Sequence, residues 1–324
     1  MKSMLKTMLH RSGLSMGLHN LRNADALTVA MFHRVLPPED PRFIGANPSY
    51  TVTPDELEQC INLFKKLYTI VSIDDVFDAY TGKDKLPRCP LLITFDDGWQ
   101  DNRQYAAPVL ERHELPSVLF VATGHVGSET GFWQEEVYDA VLRGHTPADA
   151  DQQGARMLLA ELNGLDAAQR ELRLREMTVS TDLPRRMADR DDLDAARRAG
   201  MALGGHGHSH EPLATVEDAK EELVTCRRIM ASLDPDASYA FLSFPHGSYN
   251  KDVLETAKQA GFDLLFSSDP GLVSIQGMQN APVLGRVEID LSAFRRTNGD
   301  IDDAALVFSL ILQPHVAARS GGML

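Results

Sequence analysis

Cysteine is scarce in this chain: Cys60, Cys89 and Cys226 lie far apart in 324 residues, with no CxxC pair. So sparse and odd a set excludes a disulfide framework and a structural zinc knuckle, and fits buried reduced thiols. No run approaches the roughly 18 apolar residues that a membrane-spanning helix needs. The opening stretch to Asn23 lacks the continuous apolar core and small-residue cleavage site of a secretory leader. Basic residues are in deficit, with 32 Lys and Arg against 46 Asp and Glu and a formal charge of −14. No nucleic-acid partner is expected, because neutralising phosphates takes clustered cations. What remains is 43% apolar and 24% charged, an ordinary globular composition that fits one barrel-sized domain or two smaller ones.

The deficit of basic charge reverses at the N-terminus, where Lys2, Lys6, Arg11 and Arg22 precede the first acid, Asp25. Met1, Leu5, Met8 and Leu9 fall at helical spacing beside Lys2 and Lys6. The expectation for residues 1–24 is a helix packed on the body or a tail, with peripheral contact to an anionic membrane as the alternative. The expected location is cytoplasmic, and membrane-peripheral in that alternative.

Strand-like runs alternate with helical patterns. Leu27–Phe32, Tyr68–Val71, Leu91–Phe95 and Ser117–Ala122 are expected strands, followed later by Met201–Gly205, Tyr239–Phe244, Phe262–Ser267 and Arg286–Ile289. Thr53-Pro54 and Ser72 mark helix starts, and helices are expected over Asn102–His113, Val216–Leu233 and Lys251–Ala260. Such alternation implies parallel βαβ units, and seven or eight of them imply a barrel whose chemistry gathers just past the strand ends. The rhythm breaks over about 125–199, where Met157, Leu158, Leu162, Leu172, Leu174 and Met177 suggest helices with no strand between them. That stretch is expected to be a helical insertion in a barrel spanning 25–300, with a C-terminal helix or tail over 301–324.

Two strand ends carry unusual polar groups. After Leu92-Ile93-Thr94-Phe95 come Asp96-Asp97-Gly98. Adjacent carboxylates there either cap a turn or face a cation that neutralises them, with Gly98 allowing a sharp bend. The fifth strand runs into Gly205-His206-Gly207-His208-Ser209-His210. His206 and His210, spaced i, i+4, would share one side of a helical turn and could hold one metal, while His208 faces away. Two imidazoles and a carboxylate make a site suited to Zn²⁺, Co²⁺ or Ni²⁺.

TFDDG at 94–98, HxxxH followed by Pro212 and Leu213, and the strand end Phe244-Pro245-His246-Gly247-Ser248-Tyr249-Asn250 together resemble the polysaccharide deacetylases, carbohydrate esterase family four. The likeness runs from about Leu27 to Ile289. Phe32-His33-Arg34-Val35-Leu36-Pro37 and Phe132-Trp133 look like the branch found in exopolysaccharide gene clusters. The resemblance implies a distorted (β/α)7 barrel and metal-assisted removal of N-acetyl groups from an N-acetylated glycan. By position it implies Asp97, His206 and His210 as ligands to one divalent ion, most simply Zn²⁺, and Asp96 as general base. It also implies substrate contacts at Pro245, His246, Gly247 and Tyr249, with a backbone N–H there to meet the oxyanion.

Three positions depart from the family pattern. Gly207 stands where a Ser or Thr is usual, Ser243 where an Arg orients the base, and Leu284-Gly285-Arg286-Val287 where a general-acid His is usual. The expectation is that Arg286 orients Asp96 and that His33 is the acid, with His246 a rival acid and a structural His33 the alternative. Trp99 and Trp133 are expected as sugar-stacking walls, with a core role equally open. Other readings are hydrolysis of a different carbon–nitrogen amide or of an O-acetyl ester, or a glycan-binding protein without catalysis.

Overall fold

The computed structural model describes residues 2–146, 151–165, 167–177, 183–296 and 300–316. Parts of the expected insertion (147–150, 166, 178–182), Met1 and the tail over 317–324 therefore lie outside the described residues.

The chain enters through two short helices, α1 (Lys2–Arg11) and α2 (Leu14–Arg22), and then forms β1 (Ala26–Phe32). Thr53 and Ser72 each cap a helix through a reciprocal bond with the third residue beyond, starting α3 (Pro54–Leu67) and α4 (Ile73–Tyr80). Between those helices lies β2 (Thr69–Ile70). Then follow β3 (Pro90–Phe95), a π-helical turn over Asn102–Ala106 running into α5 (Ala107–Arg112), and β4 (Ser117–Val121).

Between β4 and β5 (Met201–Gly205) the described residues hold α6 (Trp133–Leu142), α7 (Gln152–Asn163), α8 (Ala167–Arg175) and α9 (Arg190–Arg198). Val137, Tyr138 and Val141 pack on Ala155 and Leu162 in a small cluster of their own. Met157 and Leu172, which helped to suggest these helices, are exposed. The chain then alternates through α10 (Ala219–Leu233), β6 (Phe241–Ser243), α11 (Lys251–Gln259) and β7 (Leu264–Phe266). It ends with β8 (Leu272–Ser274), β9 (Val287–Glu288), α12 (Asp303–Ile311) and β10 (His315–Val316).

Strands β1, β3, β4, β5, β6 and β7 pair in parallel in that order, and β9 pairs in parallel with the free side of β1. The sheet curls until Leu284, just before β9, bridges Phe266 of β7. The result is a distorted (β/α)7-like barrel, extended on the far side of β1 by β8, antiparallel to β1, and by β10, parallel to β8.

Side chains alternate across a strand with period two. Leu27, Val29, Leu92, Phe120, Phe241, Leu264 and Phe266 fill the inside, while Leu91, Ile93, Phe95, Leu119, Leu242 and Leu265 pack against the helices. Continuing the inward register of β3 through Leu92 and Thr94 brings Asp96 inward, above the aromatic plug of Phe120, Phe241 and Phe266. This is how a pattern of apolar residues sets the place of a charge.

Candidate active site

Past β3 the backbone bends at Asp97 (φ +81°) and Gly98 (φ +82°). The first is a strained conformation for a residue with a Cβ, the kind of local cost found where a side chain must be aimed. Both carboxylates are buried. Asp96 is gripped by Arg286 through two parallel bonds of 2.6 Å, one to each oxygen. The same guanidinium donates to Ser243 Oγ at 2.7 Å and to the Ser267 carbonyl at 3.0 Å, and it lies over the Phe120 ring. Burial alone would raise the Asp96 carboxyl, but Arg286 and His206 outweigh it and hold it below the ordinary carboxylate range.

Asp97 faces the two imidazoles. Its Oδ1 is 3.4 Å from His206 Nε2 and 3.2 Å from His210 Nε2, and its Oδ2 accepts the Trp99 indole N–H at 2.8 Å. One ligand atom from each of Asp97, His206 and His210 falls within 4.8 Å of the others, a spacing that could hold a metal ion. His206 Nδ1–H donates to the Ser243 carbonyl at 2.8 Å, which turns Nε2 toward the carboxylates. Metal-ligating histidines are oriented in this way, so the donor set fits a divalent ion.

Burial pushes His206 down but Asp96 and Asp97 push it up further, so it stays above its ordinary value. For His210 burial wins, and it is held low. Asp97 is held well below the carboxylate range, since bonds from His206 and His210 overcome its burial.

The segment from His206 to His210 is not the helical turn expected from its spacing. Gly207 (φ +70°) and His210 (φ +65°) break any helix, and the loop is pinned from outside. His206 N–H donates to the Val121 carbonyl, and the N–H groups of His208 and Ser209 donate to Glu222. His206 and His210 meet at Asp97 because of those anchors. The His208 ring lies against Thr123 Oγ1, 3.1 Å away.

His33 follows β1, its ring 4.7 Å from that of Tyr50 and its carbonyl fixed by Asn102 Nδ2 at 2.7 Å. It lies within electrostatic reach of Asp96 and Asp97, helping to lower both carboxyls. His246 (φ +56°) donates Nε2–H to the His210 carbonyl at 3.0 Å, and burial with the neighbouring imidazoles pushes its pKa down to about 4. Pro245 is buried, and the Gly247 and Ser248 N–H groups are spent on the turn, bonding the Phe244 and Pro245 carbonyls. Those two amides are therefore not the oxyanion donors expected in this segment. The Tyr249 hydroxyl donates to Asp269 at 2.8 Å.

Trp99 is not a sugar-stacking wall. It is 1% exposed, with the Arg34 guanidinium over its ring at 4.3 Å and Phe132 edge-on at 5.2 Å. Trp133 is half-buried with the Arg170 guanidinium over its ring at 4.8 Å. Phe132 lies flat against one of the two imidazoles, stacked on His210 at 3.8 Å. Nothing in the dipeptide Phe132-Trp133 signals this contact, and Asn102 and Tyr50, which hold and flank His33, carry no pattern in the sequence either.

A family model described as Polysaccharide deacetylase matches residues 83–265. Among curated proteins, the chain is 24% identical over 201 residues to the putative polysaccharide deacetylase YxkH of Bacillus subtilis, covering 60% of this chain and 51% of that one. It is 26% identical over 121 residues to the poly-beta-1,6-N-acetyl-D-glucosamine N-deacetylase of Staphylococcus aureus, covering 36% and 38%. The chain thus spans about half the length, or less, of these relatives. Among solved structures, IcaB from Ammonifex degensii superposes with a TM-score of 0.58 at 17% identity, covering 89% of this chain and 98% of that one, a likeness of fold.

Proposed function

Because the chain belongs to the polysaccharide deacetylase family, we propose that it hydrolyses N-acetyl groups on N-acetylhexosamine units of a polysaccharide or lipid-linked glycan. The observation that carries this reading is the pairing of two differently wired carboxylates. Asp96 is locked to Arg286, and Asp97 is shared by His206 and His210. The likeness to the Staphylococcus aureus poly-beta-1,6-N-acetyl-D-glucosamine N-deacetylase supports N-acetylglucosamine as the sugar.

Asp97, His206 and His210 would hold one divalent ion, with Zn²⁺ best suited to two imidazoles and a carboxylate. When bound, the ion supplies Lewis-acid polarisation of the acetyl carbonyl and acidifies water at neutral pH. Asp96 then takes a proton from the water whose oxygen attacks the acetyl carbon. Arg286 keeps Asp96 ionised and its oxygens aimed, standing in from just before β9 for the missing Arg at Ser243. That serine has a small side chain, which leaves room for the guanidinium and accepts one of its bonds. As the C–N bond breaks, the amine takes its proton from His33, leaving acetate and a free amino sugar. His246 is ill suited to that task, with its Nε2–H committed to the His210 carbonyl.

The test is acetate release from an N-acetylated chito-oligosaccharide, read together with metal content. Asp96→Asn should keep the metal and lose about two to four orders of magnitude in rate, whereas Asp97→Asn should lose the metal. His33→Ala should slow an amide more than an activated ester, whose leaving group hardly needs a proton. No acetate from any N-acetylhexosamine oligomer with the metal-loaded chain, or an active Asp96→Asn, would overturn the reading.

A further inference from the structure

Helix α2 is amphipathic the wrong way round for a surface helix. Its polar residues Ser15 and His19 are buried, while Leu14, Leu18 and Leu21, at i, i+4 and i+7, are 62%, 47% and 80% exposed. Ser15 is held inward by His10 of α1, and His19 packs edge-on against Tyr68 with Asn23 beside it. The inversion is therefore fixed by buried contacts. Single exposed leucines are ordinary, but a stripe at helical spacing with the polar residues turned inside needs a cover. Met8 of α1 is exposed too, as is Leu312 at the end of α12. The Arg22 guanidinium donates to the Gln313 carbonyl at 2.8 Å, which brings Leu312 to the same end of the molecule.

The charge around this stripe points to what covers it. Lys2, Lys6, Arg11 and Arg22 are the ionised side chains before Asp25, so the helical pair is purely basic while the rest of the chain carries the whole acidic surplus. Apolar side chains flanked by cations, on a helix of nine residues too short to cross a bilayer, suit a helix lying in the headgroup layer. A second copy docked through the same face about a two-fold axis would set basic segment against basic segment.

We propose that the outward face of α1 and α2 docks on an anionic phospholipid surface. Leu14, Leu18 and Leu21 enter the boundary between headgroups and acyl chains, and the exposed Arg11 and Arg22 lie among the phosphates.

Co-sedimentation of the full chain with vesicles tests this without any activity readout. Binding is expected to phosphatidylcholine vesicles containing phosphatidylglycerol, not to phosphatidylcholine alone, and it should weaken as salt rises. Arg11→Gln should weaken it about fivefold, the scale for one basic residue at an anionic surface. The triple change Leu14→Ser, Leu18→Ser, Leu21→Ser should weaken it at least about tenfold. Because all three side chains are exposed, circular dichroism and acetate release from a soluble oligosaccharide should not change. Equal binding by the triple variant, or no binding to either vesicle, overturns the proposal. So does a dimer in sedimentation equilibrium that the triple variant dissolves while anionic vesicles go unbound, since the face would then belong to a second copy.

Discussion

The indole of Trp99 spends its one donor on Asp97 Oδ2 and lays its ring against Arg34, which is itself tied to Asp101 by bonds of 2.8 and 3.0 Å. Asp97 Oδ1 is thereby left to face both imidazoles. Trp99→Phe keeps the buried ring and removes only the N–H. Metal affinity should fall about 10- to 100-fold, the usual scale for losing a partner of a metal ligand, with little change in the fold. Isothermal titration of the chelated protein would measure it, and an unchanged affinity would show that Asp97 is aimed by its backbone alone. The sequence could not disclose this role. An aromatic residue after Asp-Asp-Gly reads the same whether it faces a sugar or the core, whereas the adjacent carboxylates and clustered histidines stand out because burying them unpaired is so costly.

At the scale of elements, strands and capped helices were legible because their signals are local: short continuous apolar runs, Thr53-Pro54 and Ser72. Two finer features are governed by contacts from elsewhere. The helix expected from Asn102 opens with a π-helical turn, whose first residue, Asn102, holds the carbonyl of His33. The loop from His206 to His210 takes its shape from Val121, Thr123 and Glu222 rather than from helical spacing.

In that loop Gly207 is required. Its φ of +70° disfavours any side chain, and a Cβ there would sit 3.0 Å from Pro245 Cγ. Restoring the usual family residue with Gly207→Ser should therefore cost about 1–2 kcal/mol of stability and weaken metal binding, although it adds a hydroxyl. Thermal melts with and without metal would check this. A variant as stable as the original, with tighter metal binding, would show that the loop can relax around the new side chain.

For the whole molecule, alternating strands and helices were enough to anticipate the barrel, but not its closure. That rests on Leu284 meeting Phe266 and on Arg286 reaching inward from the residue before β9. The metal cluster likewise joins the ends of β3 and β5, so binding an ion should stabilise the fold as a unit, by about 2.7 kcal/mol at a free ion concentration of about 100 times Kd.

The pH dependence of that gain follows from the histidines. In the chelated protein His206 is held above its ordinary value, since Asp96 and Asp97 outweigh its burial. Its contribution to stability is fully present below the unfolded value of about 6.5 and is lost as pH rises through the folded value. Asp97 has the opposite sign: its contribution is present above about 3.9 and is lost only as pH falls through its depressed folded value. A metal ion needs the same His206 Nε2 without its proton. The difference in Tm between metal-loaded and chelated protein should therefore be small in mild acid and widen as pH climbs from about 6 to 8. It should vanish throughout that range in Asp97→Asn. A gain that stays level with pH in the unsubstituted chain would mean that the ion displaces no proton from His206 over this range, against the raised value that its two carboxylate neighbours give it.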